Sequence, residues 1–93
     1  MRLQNGETIG ACCEIQPGHF PHERLIAVDT EEGPFVGFAD MKHLQVIENN
    51  RGFIKGIAID VSTDPVAVRV FCEFFQSSGY MRVRRELLTR LED

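Results

Sequence analysis

The stretch "VAVRVFCEFF", residues 66–75, has a strict two-residue alternation. One set of positions is apolar: Val66, Val68, Val70, Cys72 and Phe74. The intervening set mixes charged and aromatic residues: Ala67, Arg69, Phe71, Glu73 and Phe75. Since successive side chains of a strand point to opposite faces of a sheet, this pattern predicts a β-strand with the first set in the core.

The sequence on either side of this stretch repeats the same signals. "GIAIDV" (56–61) predicts a second strand, with Ile57, Ile59 and Val61 facing the core, and "STDP" (62–65) predicts the turn between the two strands. "RLIAVDT" (24–30) and "PFVGFA" (34–39) flank "EEG" and read as a hairpin. "GYMRV" (79–83) is a further strand, which follows the short loop "QSS".

Helical periodicity is weak and is limited to "RRELLTRLED" (84–93) and a turn at "ADMKHL" (39–44). The chain of 93 residues suits one domain, residues 1–93. About six strands with short connections favour a closed or partly open barrel, because closure removes exposed strand edges. We therefore predict an all-β single domain with a short C-terminal helical turn.

The two halves of the chain resemble each other, which suggests a pseudo-repeat of residues 10–48 and 56–92. "GACCEI" (10–15) aligns with "GIAIDV" (56–61), so that Gly10 falls on Gly56. "FVGFADMKHLQVIE" (35–48) aligns with "YMRVRRELLTRLE" (80–92). In each half, the alignment ends in a turn of helix with the pattern Leu-x-x-(Ile/Leu)-Glu.

The composition excludes several functional classes. The net charge is −4, which makes non-specific attraction to nucleic-acid phosphates unfavourable. No apolar run approaches the ~18–20 residues of a membrane span. Without an export signal, and with three cysteines, an odd number, we expect a reducing cytoplasm and no disulfide framework.

The adjacent cysteines of "GACCEI" should lie on opposite faces of one strand. The alternation predicts that Ala11, Cys13 and Ile15 face the core, which leaves Cys12 outside. Cys72 belongs to the core face of the 66–75 strand. Cys13 and Cys72 are therefore expected to behave as small buried apolar residues.

A metal or catalytic site centred on Cys12 and the histidines remains an alternative function. Structural zinc sites use closely spaced pairs of Cys or His ligands, and His19-x-x-His22 is a poor match in a proline-containing loop. No nucleophile signature or glycine-rich phosphate loop is present. We expect no bound metal, no cofactor and no enzymatic activity.

The loop that follows the first strand is a candidate binding site. Residues 16–24 present His19, Phe20, His22 and Arg24, and two prolines restrict the backbone between them. One interpretation is that these side chains form a preformed contact surface. The other is that Phe20 tucks back to cap one end of the barrel.

Arg69, Phe71 and Phe75 form a second candidate surface, because the alternation turns them away from the core. Phe35 joins them if Val36 and Phe38 face inward. Outward aromatic residues in so small a domain predict an interface with a second copy of the chain or with another protein. The alternative is that a bulge near Cys72 buries one of the rings.

The ending "GYMRVRRELLTRL" (79–91) resembles the last strand and helical turn that close SH3-like small barrels. That resemblance implies an interaction module, although a fold alone does not fix a function. We expect a non-enzymatic binding module that forms a homodimer. A weaker alternative is a nucleic-acid accessory protein that uses Arg82, Arg84 and Arg85.

Overall fold

The computed structural model describes residues 2–48 and 50–91. Its nine strands in that part of the chain form one sheet. They are β1 (Thr8–Pro17), β2 (Glu23–Thr30), β3 (Gly33–Asp40), β4 (Leu44–Glu48), β5 (Arg51–Asp60), β6 (Val66–Val70), β7 (Glu73–Phe74), β8 (Tyr80–Val83) and β9 (Leu88–Arg90). The all-β prediction is confirmed, and the sheet curls into a half-barrel around one small core.

The sheet runs in the order β7-β3-β2-β1-β5-β6-β8, with antiparallel pairing throughout. Its end strands, β7 and β8, are not paired with each other in the described part of the chain, so the barrel is partly open. The Glu31 amide, at the tip of the β2–β3 hairpin, donates a hydrogen bond to the Arg82 carbonyl of β8 at 3.0 Å.

The strand that contains residues 66–70 has the predicted phase. Val66, Val68 and Val70 are almost fully buried, and Cys72 and Phe74 continue the same inward series beyond the end of β6. The hairpin of β2 and β3 is also confirmed, with Thr30 opposite Gly33. Residues 66–74 carry an apolar residue at every inward position, which is why the pattern was informative.

The predicted phase of β5 is wrong. Ile59 is 44% exposed and Ile57 is partly exposed, whereas Ile54 and Ala58 are buried. The inward position between those two is Gly56, where β6 passes so closely that a Cβ atom would lie 2.5 Å from the Arg69 carbonyl oxygen. Because a side chain does not fit at that inward position, the larger residues of β5 lie on the outer face.

The condition under which Phe35 would join the outward aromatic residues is not met, for a similar reason. Phe35 is 7% exposed and belongs to the core, so it does not join the outward aromatic residues. Val36 and Phe38 lie on the outer face and are partly exposed. Between them, Gly37 faces inward beneath β7, and a Cβ atom there would collide with the Glu73 carbonyl oxygen.

The predicted helical turns are shorter than expected. They are single 3₁₀ turns, Met41–His43 and Arg85–Leu87, and each continues directly into a short strand, β4 or β9. The residues 44–48 and 88–90, expected to complete helical turns, are therefore extended.

In the described part of the chain, no helix is long and apolar enough to cross a membrane.

The two halves share an order of elements: a long strand, two further principal strands, a 3₁₀ turn and a short strand. The short strands pair crosswise: Leu44 of β4 lies opposite Ile54 of β5, and Leu88 of β9 lies opposite Ala11 of β1. This pairing relates Ala11 to Ile54. The sequence alignment placed Ala11 on Ile57 instead, and those two residues face opposite sides of the sheet. A repeat at the level of sequence stays a prediction.

The phase of β5 gives a direct test of the core. Ile54→Ala should lower the free energy of unfolding by about 2–5 kcal/mol, because Ile54 is fully buried and its removal leaves a cavity. Ile59→Ala should cost less than about 1 kcal/mol, as is usual for surface substitutions. Urea unfolding of both variants measures the difference. Equal losses would show that Ile59 belongs to the core.

Candidate interaction surface

Hydrogen bonds fix the loop between β1 and β2. The Glu23 amide donates to the Phe20 carbonyl at 3.0 Å, and the Glu23 side chain accepts from the His19 amide at 3.2 Å. The Met41 amide donates to the His22 carbonyl at 2.8 Å, which ties the loop to the first 3₁₀ turn. The loop therefore has a defined conformation, which hydrogen bonds hold at both its tip and its end.

Arg24 has a structural part in this loop. Its Nη1 atom donates to the carbonyl of Pro21 at 2.9 Å and to that of Glu23 at 2.8 Å. The side chain is partly buried as a result. Four loop residues were predicted to bind a partner. Of these, Arg24 stabilises the loop conformation, and His19, Phe20 and His22 are exposed.

The interpretation that Phe20 caps the barrel is wrong, because its side chain is 58% exposed. The Phe20 and His22 rings stack on each other, with centroids 5.9 Å apart and an interplanar angle of 16°. The two stacked rings therefore project together from the loop tip.

Phe38 joins this loop to the outward aromatic residues of the sheet. Its ring centroid lies 5.1 Å from that of His19 and 6.1 Å from that of Phe75, against which it packs edge-to-face. Phe75 is 74% exposed, and its amide donates to the Val36 carbonyl at 2.9 Å. We call the set His19, Phe20, His22, Phe38 and Phe75 the aromatic surface, in which Phe20 follows His19 in the chain and stacks on His22.

Beyond Phe38, a shallow groove leads to Phe71. Its walls include Phe38, Asp40, His43, Arg69, Phe71 and Glu73. Phe71 is only partly exposed, and its ring packs edge-to-face on His43 with centroids 5.4 Å apart. The Arg69 guanidinium lies 5.4 Å from the centroid of Tyr80, a favourable cation–π distance. The three predicted interface residues thus lie at or beside one groove.

Asp40 supplies a negative charge where the loop, the groove and the first 3₁₀ turn meet. The Lys42 amide donates to Asp40 Oδ1 at 3.0 Å, and this hydrogen bond lowers the pKa of the Asp40 carboxyl. The charges of Lys42, His22 and His43 lower it further. Asp40 therefore remains ionised and caps the turn that carries His43.

The cysteines and histidines are not brought together. Cys12 lies on the outer face of β1 beside Arg51, whose Nη2 atom is 4.0 Å from the sulfur, and the depression around Cys12 contains no histidine among its described residues. His19, His22 and His43 instead contact phenylalanine rings. Within residues 2–48 and 50–91, no three His, Cys, Asp or Glu side chains are grouped closely enough to hold a metal ion.

The arginines of the basic run are engaged in part by the fold. Arg85 Nη2 donates to the Val61 carbonyl at 2.7 Å, and Arg84 lies 3.5 Å from Glu86 in an exposed ion pair. Arg82 is exposed on β8. The contacts give these three residues separate surroundings.

The roles of Phe38, His43 and Tyr80 were not predicted from the sequence. The direction of Phe38 was left open, and the only signal that it faces outward was Gly37 between two large apolar residues. His43 and Tyr80 gave no signal, because their contacts with Phe71 and Arg69 join parts of the chain that are distant in sequence.

Thiol chemistry should separate the three cysteines. Cys13 and Cys72 are buried as predicted, and Cys12 is partly exposed. Burial raises the pKa of Cys13 to about 12 and that of Cys72 to about 11, so neither forms the reactive thiolate near neutral pH. In the native protein, an alkylating reagent should modify Cys12 alone, as mass spectrometry can show. Rapid modification of a Cys12→Ser variant would contradict this assignment.

Cys13 should also make stability depend on alkaline pH. Its pKa rises from 9.0 to about 12 on folding, chiefly by burial and then by the neighbouring Cys12, so the folded protein holds this proton more tightly. Its contribution is full below pH 9.0 and is lost as the pH rises from there towards 12. Cys13→Ala should therefore flatten the fall in Tm across that interval. Cys12→Ala, which removes the second cause of the raised pKa and leaves the burial of Cys13 in place, should keep most of the slope.

Comparison of the chain with protein-family models, with curated proteins and with solved structures finds no match. Family membership therefore supplies no function for the aromatic surface or for the groove. The functional proposal rests on the contacts, exposure and charge of these residues.

Proposed function

We propose that this protein is a non-enzymatic interaction module that pairs with a second copy of itself through the aromatic surface. The observation that carries the proposal is the position of Phe38. Its ring contacts both His19 of the loop and Phe75 of the sheet, so two patches far apart in sequence form one surface. A single contact area of this kind suits a protein partner better than two separate patches would.

The exposure of this surface supports the proposal. Phe75 is 74% and Phe20 is 58% exposed, although each ring offers a large apolar area. A contiguous exposed apolar patch on a small soluble domain is typical of an interaction site. Aromatic residues are also enriched at the energetically important centres of protein interfaces.

The rigidity of the surface supports it further. The loop that carries His19 and Phe20 is fixed by its own hydrogen bonds and by the Arg24 guanidinium. Phe38 is held from below, because the Cys72 thiol donates to the Phe38 carbonyl at 3.3 Å. A surface already ordered in the free protein loses little conformational entropy on binding, which favours affinity.

A second copy is the favoured partner because a two-fold dimer uses the same patch on both protomers. Arg69 and Glu73 lie along the groove beside the aromatic surface, with opposite charges two strand positions from Phe71. Across a two-fold axis, Arg69 of one protomer would lie against Glu73 of the other. Another protein with a complementary aromatic patch would meet the same requirements of shape, and it is the second candidate.

Two finer features accompany this proposal. The 3₁₀ turn followed by β9, which pairs with β1, is consistent with the resemblance to SH3-like barrels, a class that includes many interaction modules. A cytoplasmic location fits three free thiols, of which two are buried. Both stay predictions.

Substitution of the two most exposed rings of the aromatic surface tests the proposal. Phe20→Ser with Phe75→Ser should weaken self-association by at least about tenfold, because aromatic residues at an interface centre contribute most of the binding energy. Sedimentation equilibrium over a range of protein concentrations measures the change in average mass. Moderate salt should have little effect on the wild type, since exposed charge pairs contribute at most about 1 kcal/mol each.

The matched control is Ile59→Ser, which removes an exposed apolar side chain elsewhere on the outer surface. Its self-association should equal that of the wild type. A wild-type protein that remains monomeric at high micromolar concentration would refute self-association. A double variant with unchanged mass would show that the aromatic surface is not the contact.

A further inference from the structure

All three histidines of the chain lie where the second copy is proposed to bind. His19 and His22 belong to the aromatic surface, and His43 lines the adjoining groove. Each histidine ring packs on a phenylalanine ring of this region, with centroids 5.1–5.9 Å apart. Among side chains, histidine is the one that ordinarily changes its charge between about pH 5 and about pH 8. A change of pH across this interval therefore acts on side-chain charge chiefly at the proposed contact.

The charged residues around the three rings do not offset added positive charge. The Glu23 carboxylate accepts a hydrogen bond from the His19 amide. Asp40 and Lys42 stand at the turn that carries His43. The charged residues next to the rings and their phenylalanine partners are Glu23, Arg24, Asp40, Lys42, Lys55, Arg69 and Glu73. Cations outnumber carboxylates in this set while the histidines are still neutral, so protonation makes this region of each copy more positive.

We infer that protonation of these histidines weakens the pairing of two copies, so that the dimer dissociates in mildly acidic solution. The inference rests on the proposed function and adds a form of regulation to it. In a two-fold contact, each surface faces an identical surface. Protonated histidines of one copy therefore meet a partner surface that carries the same added charge, and a nearby like charge disfavours the charged form of an ionisable group.

The loss of water on pairing acts in the same direction. Pairing buries His19 and His22, which are exposed in the free protein, and burial disfavours the charged form of an imidazole. The contact of each ring with its own phenylalanine exists in both the free and the paired protein, so it does not change this balance. The free protein therefore binds more protons than the pair, and a fall in pH shifts the equilibrium towards the free protein.

Asp40 does not reverse this effect. The hydrogen bond from the Lys42 amide, with the nearby positive charges, holds the pKa of the Asp40 carboxyl below its usual value, so this group stays ionised in mildly acidic solution. Its attraction for protonated His22 and His43 acts within one copy, whether or not a partner is bound. Asp40 is also one carboxylate against two imidazoles and the Lys42 ammonium.

Sedimentation equilibrium at two pH values tests the inference. The dissociation constant of the wild type should rise at least about tenfold between about pH 7.5 and about pH 5.5, where histidine gains its proton. The slope of its logarithm against pH gives the number of protons taken up on dissociation. The triple variant His19→Gln/His22→Gln/His43→Gln should lose most of this dependence, because glutamine does not titrate. Each of the three single variants should lose part of it, and circular dichroism at both pH values checks that every variant is folded.

Lys42→Gln is the matched control. It removes a charge from the same region, but lysine is ordinarily charged throughout this interval of pH. Its dissociation constants at the two pH values should therefore keep nearly the same ratio as those of the wild type. Loss of the pH dependence in this variant would show that the histidines are not its source.

The outcomes separate this inference from the proposed function. A wild type that pairs equally well at both pH values, or more tightly at the lower one, would overturn the regulation and leave self-association standing. Histidine variants that keep the full pH dependence would overturn it as well. A wild type that is monomeric at both pH values would refute self-association, and this inference with it.

Discussion

The close approach of neighbouring strands at small inward residues is the constraint on which the structure depends. β6 passes over Gly56 and β7 passes over Gly37 at distances that leave no room for a Cβ atom. A sheet that bends this sharply can wrap, in a short chain, a core whose largest fully buried side chains are valine and isoleucine. The same constraint moves Phe38, Ile57 and Ile59 to the outer face, where they must meet solvent, each other or a partner. The candidate interaction surface is thus a by-product of how the core is closed.

Sequence alternation predicted which side chains face the core where the apolar residues of a strand are also the inward ones. In residues 66–74, apolar side chains occupy every inward position, and the structure follows the pattern. In β5, glycine and alanine occupy inward positions, and alternation alone assigned the larger residues to the core. The size of a side chain does not predict which face of the sheet it lies on where a neighbouring strand leaves little space in the core. That neighbouring strand is formed by residues far away in the sequence.

The separate parts of the candidate surface could be predicted from the sequence, but the contact that joins them into one surface could not. His19, Phe20 and His22 were identified from a restricted loop, and Phe71 and Phe75 from alternation. The contact that joins loop and sheet depends on Phe38 facing outward and on β7 pairing with β3. Neither is local, because Phe38 and Glu73 pair in the sheet although they are far apart in the sequence. Arg24 shows the opposite case: its place in the loop suggested binding, while its hydrogen bonds assign it to the loop backbone.

The crosswise pairing of the short strands has a consequence for how the chain folds. β4 completes the sheet beside β5 of the second half, and β9 returns to pair with Ile9, Gly10 and Ala11 near the start of the chain. Each half therefore borrows a strand from the other, and neither can satisfy its long strand alone. Contacts between such distant segments require large loops to close, which slows folding. A nascent chain would have to wait for residues 88–90 to leave the ribosome before its first strand found its last neighbour.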